Sequence, residues 1–242
     1  MKESQNTASL SLLAPAHIGF IVDGNRRWAK EKGLPTLEGH RRGFDRVEKI
    51  AENIFDKGVK FASFYLFSTE NWDRSQEEVS YLMDLLRINI SRLAKKLQKK
   101  GIKLVWLGRT EPAPDDVIEK IHAAEELTKN GTAGTVAICF NYGGHWEIAD
   151  AAAKISSAIK SGQLSEREIT PEIFAKYLYH PEVPPCDLIV RTSGEQRISG
   201  FQLWRAAYSE FLFLDKKFPD MSVDDLDDII AEYSHRSRRF GK

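Results

Sequence analysis

Cysteine, long apolar runs and net charge are all scarce in this chain. Only two cysteines, Cys139 and Cys186, occur in 242 residues. Neither stands in a CxxC pair or near histidines at zinc-ligand spacing, so nothing points to a zinc site or a disulfide framework. The two read as a buried strand residue and a loop residue in a reducing compartment. No apolar run approaches the ~20 residues of a transmembrane helix. The opening MKESQNTASLSLLAPA carries Glu3 and is interrupted at Ser9 and Ser11, which makes a poor signal peptide. A cytoplasmic protein is expected, at most peripheral to a membrane. Lys+Arg and Asp+Glu both number 35, and this balance argues against a general nucleic-acid binder. It still allows a local basic pocket for a phosphorylated ligand. Internal repeats and low-complexity linkers are absent too, so one domain is expected.

What is present is an ordinary globular mixture, 42% hydrophobic and 29% charged, long enough for a sizeable core. Residues 1–14 read as a flexible N-terminal arm and residues 15–242 as the domain. HIGFIV, residues 17–22, is a short apolar run ending at Asp23-Gly24-Asn25, a buried strand followed by a tight turn. Residues 38–57 read as a helix stopped by Gly58, and 61–67 (FASFYLF) as a second buried strand. Ser75 caps the next helix, with Glu78 at the capping-box position. Val79, Leu82, Met83, Leu86, Ile90 and Leu93 share one face of that helix. Strands over 103–108, 135–141, 187–191 and 211–214 alternate with helices over 111–129, 146–160 and 171–178. Ser222 caps a final helix running into HRSRRFGK. The pattern predicts an α/β fold with an open, mostly parallel central sheet of about six strands flanked by helices.

In such sheets ligands bind beyond the carboxyl ends of the strands. Three polar clusters fall there: Asp23-Gly24-Asn25-Arg26-Arg27-Trp28, Ser68-Thr69-Glu70-Asn71 and Arg191-Thr192-Ser193-Gly194-Glu195. In the first, a glycine lets backbone N–H groups approach an anion, the following helix adds its dipole, and Arg27 adds a bidentate donor. Asp23 would repel a bare phosphate, and a magnesium ion between them removes the conflict. A turn with a solvated aspartate and two surface arginines fits that spacing as well. Arg191, Arg197 and Ser199 form a second constellation suited to another phosphate-bearing ligand. An ordinary polar loop is its bland counterpart.

HIGFIVDGNRRWAK, FSTENWDR, NYGGHWEI and RTSGEQRISGFQLWRAAYSE resemble, in order, the signature blocks of cis-prenyltransferases, of which undecaprenyl diphosphate synthases are members. The resemblance implies that isopentenyl diphosphate is condensed with a geranyl or farnesyl diphosphate primer to give a Z-polyprenyl diphosphate. It implies that Asp23 holds Mg²⁺ and that Gly24, Asn25, Arg26, Arg27 and His40 cradle the primer diphosphate. Trp28 and Trp72 would wall the substrates. Ser68, Thr69, Glu70 and Arg74 would line the cleft, with Asn71 at the position of proton removal. Arg191, Arg197, Ile198 and Ser199 would form the isopentenyl diphosphate site. Glu210 would be a second metal-associated carboxylate, reaching across a homodimer, and Arg239 and Gly241 would complete a partner's phosphate site. Thr36 departs from the family pattern, where a basic residue is frequent. One phosphate contact is then missing, or Arg41 or Arg42 supplies it.

Asparagine is a poor base, so Asn71 is expected to position a water or a diphosphate oxygen. The growing chain needs an apolar tunnel, and Val79, Leu82, Met83, Leu86 and Ile90 with Phe61, Phe64 and Leu66 are candidates. Most such stripes are simply core. Leu66 stands where long-chain members usually carry alanine, which implies a short-to-medium product. The DDxxD string at Asp224–Asp228 follows Ser222 and suits a helix start rather than a metal. Two rival readings stand beside elongation: a catalytically silent scaffold subunit, and a branching or cyclising condensation on the same fold.

Overall fold

Each of the six expected strands joins one sheet. β1 (His17–Ile21), β2 (Phe61–Ser68), β3 (Ile102–Leu107), β4 (Gly134–Tyr142), β5 (Leu188–Thr192) and β6 (Glu210–Leu214) lie in the order β3-β4-β2-β1-β5-β6. All five pairings are parallel. The computed structural model describes residues 14–236. The arm, apart from Ala14, and the tail residues Arg239 and Gly241 lie outside the described residues; Ala14 itself packs against the core. The helices are α1 (Asn25–Glu31), α2 (Thr36–Asn53), α3 (Gln76–Lys99), α4 (Asp115–Thr128), α5 (Gly144–Lys160), α6 (Pro171–Ala175) and α7 (Asp225–His235).

Strand side chains alternate between two apolar layers, because successive Cβ atoms point to opposite faces. Ile18, Phe20, Phe64, Leu104, Ile138 and Val190 join Ile50, Leu86, Leu93, Ile121 and Ile229 from the helices in the larger layer. Ile21, Tyr65, Val105, Cys139 and Ile189 enter the smaller one, which Phe201 and Ala206 of the loop before β6 help to close. With both faces covered, the strands carry continuous apolar sequence. Cys139 and Cys186 are both free and buried.

Boundaries shift where local chemistry differs from the reading. α2 begins at Thr36 after Pro35, and its last stretch tightens to a 3₁₀ turn over Ile54–Lys57, ended by Gly58 at φ 91°. α4 starts only at Asp115, because Pro114 sits in extended backbone at its N-cap. The Asp225 backbone N–H donates to Ser222 Oγ at 3.2 Å, and Asp225 Oδ2 accepts the Ser222 N–H at 2.6 Å. Asp225 also pairs with Lys216, and Asp227 with Lys57, so these two carboxylates of the acidic run serve the helix start and its neighbours.

From β1 the chain moves to β2 on one side, while β5 docks on the other side of β1. The carboxyl ends of β1, β2 and β5 therefore border the crevice where such sheets bind ligands.

Candidate active site

A cleft of about 750 Å³ opens at that crevice. Asp23, Gly24, Asn25, Arg26 and Arg27 after β1, Ser68 at the end of β2 with Asn71 and Arg74 beyond it, and Arg191 near the end of β5 with Ser199 beyond it all line the cleft. The fold thus unites residues as far apart in sequence as Asp23 and Ser199.

Asp23 sits at the centre. Its Oδ2 accepts from Arg191 Nη2 at 2.8 Å, its Oδ1 from the Gly24 N–H at 2.6 Å, and Arg27 Nη2 lies 3.3 Å from Oδ1. Burial opposes ionisation of this carboxyl, but the Arg191 bond, the Gly24 N–H and Arg27 prevail and hold it below the usual carboxylate range. Thr192 Oγ1 fixes the backbone here, accepting the Asp23 N–H at 3.1 Å and donating to its carbonyl at 2.7 Å. Gly24, at φ 100°, allows the turn between strand and helix. Asn25 packs onto α2 at Gly43, where an added Cβ would come within 2.4 Å of Asn25 Oδ1.

After β2, the 3₁₀ turn Thr69–Asp73 is closed by a reciprocal Ser68–Asn71 box. Asn71 Oδ1 accepts the Ser68 N–H at 3.1 Å. One lone pair of that oxygen is thereby engaged, and the NH₂ group is the donor that Asn71 can offer the cleft.

Glu78 departs from the capping-box expectation. Ser75 Oγ does accept the Glu78 N–H. The buried carboxylate turns instead to Arg74 at 2.9 Å, His40 Nε2 at 3.1 Å and Arg26 at 3.8 Å. Three basic partners outcompete one N–H. Burial lowers the pKa of His40, against the opposing pull of Glu78. A neutral His40 has one N–H, and the carboxylate takes it. Lys30 and Thr36 line the same wall. Arg41 faces outward to Glu38 and Asp45, and neither it nor Arg42 lines the cleft, so Lys30 is the extra cation there. Lys30 closes the first motif block, one helical turn after Arg26 and Arg27, a spacing that would have flagged it.

Beneath the cleft lies a narrow apolar cavity of about 50 Å³, lined by Phe44, Val47, Phe67, Leu85, Leu86 and Phe140 among others. Leu66 and Leu82 line both spaces. Of the other tunnel candidates only Leu86 reaches it. Met83, Ile90 and Phe64 are buried core, Val79 packs on that core, and Phe61 lies at the amino end of β2 beside His17.

Several expected site residues stand elsewhere. Trp28 is buried, its indole N–H bonded to Asp220 Oδ1 at 2.7 Å. Trp72 donates to Asn141 Oδ1 at 2.8 Å and packs edge-on to Phe67. Neither walls the cleft, because each indole N–H finds its partner in the protein. The Thr69 hydroxyl is buried, Glu70 is exposed, and neither lines the cleft. Arg191 Nη1 donates to Ser199 Oγ at 2.8 Å and to the Arg197 carbonyl at 2.5 Å. The Arg197 guanidinium is bonded to Glu195, and Ile198 packs on the smaller core layer. Glu210 opens β6 in register with Leu188, whereas Asp23 follows the far end of β1, so the two carboxylates occupy opposite ends of the sheet. Glu210 pairs with Arg236 at 3.2 Å. Within one chain the pair cannot share an ion.

Among the described residues, no three His, Cys, Asp or Glu side chains cluster so as to cage a metal. Mg²⁺ needs no such cage, since it keeps several waters and commonly takes one or two carboxylates plus substrate phosphates. Asp23, a hard donor held ionised and 29% exposed in a basic cleft, fits that mode.

A parallel α/β sheet with a basic cleft at its switch point and an apolar cavity beneath suits a ligand with an anionic head and an apolar tail. The family model described as "Putative undecaprenyl diphosphate synthase" matches residues 21–241. The chain is 44% identical to a trans,polycis-polyprenyl diphosphate synthase ((2Z,6E)-farnesyl diphosphate specific) of Thermobifida fusca, over 95% of this chain and 81% of that one. It is 43% identical to a decaprenyl diphosphate synthase of Mycobacterium tuberculosis, over 94% and 77%. Its fold matches the lavandulyl diphosphate synthase of Lavandula x intermedia, solved with dimethylallyl diphosphate, at a TM-score of 0.91 and 32% identity, covering 95% and 99% of the two chains. The chain belongs to the undecaprenyl diphosphate synthase family of cis-prenyltransferases. No helix among the described residues is long and apolar enough to cross a membrane.

Proposed function

We propose that the protein condenses isopentenyl diphosphate with an allylic diphosphate primer, geranyl or farnesyl, to give a short-to-medium Z-polyprenyl diphosphate. One observation carries this reading: Leu66 and Leu82 border both a basic cleft and a narrow apolar cavity. The cleft suits the charged head of a prenyl diphosphate and the cavity its tail. The Mycobacterium relative's name specifies a longer product, decaprenyl, and the small cavity argues for a shorter one here.

In this mechanism Arg26, Arg27 and Lys30 bind the primer diphosphate, and Asn25 and the Gly24 backbone complete its cradle. Mg²⁺ held by Asp23 would neutralise charge as the diphosphate departs. Arg191 and Ser199 hold isopentenyl diphosphate beside it, with Arg197 supporting them, and juxtaposition of the two substrates supplies orientation. The Asn71 NH₂ holds a diphosphate oxygen or a water where the proton is lost. Leu66 and Leu82 keep water from the developing allylic cation. The active form is a cytoplasmic homodimer in which a partner's Arg-x-Gly tail and Glu210 complete the phosphate site, with peripheral membrane contact for the product.

The test is incubation of the purified chain with Mg²⁺, labelled isopentenyl diphosphate and either primer, followed by sizing of the dephosphorylated products. Elongation by a few isoprene units supports the reading. No incorporation with either primer would favour a scaffold subunit.

A further inference from the structure

Ser199 lies in the segment over residues 193–209, which joins β5 to β6 without helix or strand. Ser193, Ser199 and Gln202 there adopt left-handed backbone, at φ 77°, 49° and 44°. Such non-glycine conformations persist only where the surroundings enforce them. Ser193 is held from the β6 side, its N–H on the Lys216 carbonyl, whereas the stretch around Ser199 and Gln202 is constrained by the first turn of α5. The Gly144 N–H donates to the carbonyl of Gly200, next to Ser199, at 2.9 Å. Farther along the loop Arg205, its side chain 2% exposed, donates Nη1 to Glu147 Oε1 at 2.6 Å. Arg205 Nη2 reaches the Tyr179 carbonyl at 2.6 Å and Nε the Val183 carbonyl at 3.1 Å. Glu147, 1% exposed, also accepts the Tyr179 N–H at 3.1 Å and the Tyr142 hydroxyl at 2.6 Å.

A buried ion pair is poor value as plain stabiliser, since desolvation offsets most of the attraction. Its planar fork does fix direction, with three N–H groups locked onto three acceptors. One end of one helix thus pins the loop on both flanks of residues 201–204, and Ser199 is held against Arg191.

We propose that Arg205 and Glu147 are positioning residues for the isopentenyl diphosphate half of the site, setting Ser199 and through it the Arg191 guanidinium. This rests on the functional reading of Arg191 and Ser199 given above. The primer cradle on α1 and α2 has contacts of its own, Thr192 and Glu78 among them, and meets this half through the Arg191–Asp23 bond, so the larger effect falls on isopentenyl diphosphate.

The experiment compares the full-length wild type with R205K and with the double variant E147Q/R205Q, by steady-state kinetics on each substrate and by thermal melting. R205K keeps the charge beside Glu147 but loses the fork. The double variant leaves no unpaired buried charge. In both, KM for isopentenyl diphosphate is expected to rise about tenfold while KM for the allylic diphosphate stays within about twofold. Folded variants whose two KM values are unchanged, or rise together, overturn the proposal. A lowered melting temperature with unchanged KM values marks a purely structural pair and overturns it too. A wild type inert with both substrates overturns the underlying functional reading instead.

Discussion

Leu66 on β2 and Leu82 on α3 border the basic cleft and also the apolar cavity below it. With Val22, Asn25 and His40, which border both spaces too, they form the neck between cleft and cavity. Leu66→Ala removes three carbons from that neck. Its products are expected to lengthen by at least one isoprene unit, read by sizing of dephosphorylated products. An unchanged length distribution would remove Leu66 from the role of gate.

Asp23 is the one cleft carboxylate bonded to Arg191 and Arg27 together. Asp23→Asn keeps the size and an acceptor for Gly24 but loses the charge that draws a cation. Turnover is expected to fall about 100-fold or more, with the Mg²⁺ concentration for half-activity raised. Chelation of divalent cations should abolish wild-type turnover and leave the fold intact, checked by circular dichroism. Full activity in the chelator would be incompatible with the metal role.

Asn71 separates structure from chemistry by atom. Its Oδ1 closes the turn on Ser68, and its NH₂ is the group that the proposed mechanism assigns to the substrates. Asn71→Asp keeps the cap and loses the donor, so the melting temperature should hold while kcat falls about tenfold or more. Asn71→Ala loses both, adding about 1 kcal/mol of destabilisation. Equal melting losses in the two variants would contradict this division.

Trp28 belongs to packing rather than to the cleft, since its N–H is bonded to Asp220. Trp28→Phe is expected to cost about 1–3 kcal/mol in denaturant unfolding with both KM values near wild type. A selective rise in the primer KM would restore Trp28 to the site.

His17 supplies a pH signature. The ring is fully buried, with Nδ1 on the Pro184 carbonyl at 3.0 Å and Nε2 on Ser63 Oγ at 2.7 Å. Burial is the main cause that lowers its pKa to about 4. The unfolded chain takes up this proton near pH 6.5 and the folded one only near 4. The stability is therefore full above 6.5 and is lost as pH falls from 6.5 towards 4, amounting to about 3 kcal/mol. Urea midpoints across that window should fall in the wild type and fall less in His17→Gln. Parallel slopes would assign the acid sensitivity elsewhere.

The fold was legible in sequence because its signals are local. HIGFIV, FASFYLF and the stripe Val79-Leu82-Leu86-Leu93 each declare their element by periodicity, and strand–helix alternation leaves few alternatives to a parallel sheet. The three polar clusters were legible for a related reason: each stands at a strand's carboxyl end, where topology places a ligand. Their identity as a prenyl diphosphate site came from the length and order of the motif blocks.

The individual roles depended on competition among partners, which no local pattern encodes. Glu78 looked like a cap until His40 came within reach across the chain and joined Arg74, four residues before it, on the carboxylate. Trp28 and Trp72 looked like walls until Asp220 and Asn141 took their N–H groups. Sequence determined the sheet, the position of the cleft and the family to which the chain belongs. Tertiary structure alone decided which polar atoms remain for a substrate, because a buried donor or acceptor goes to whichever partner the fold brings nearest.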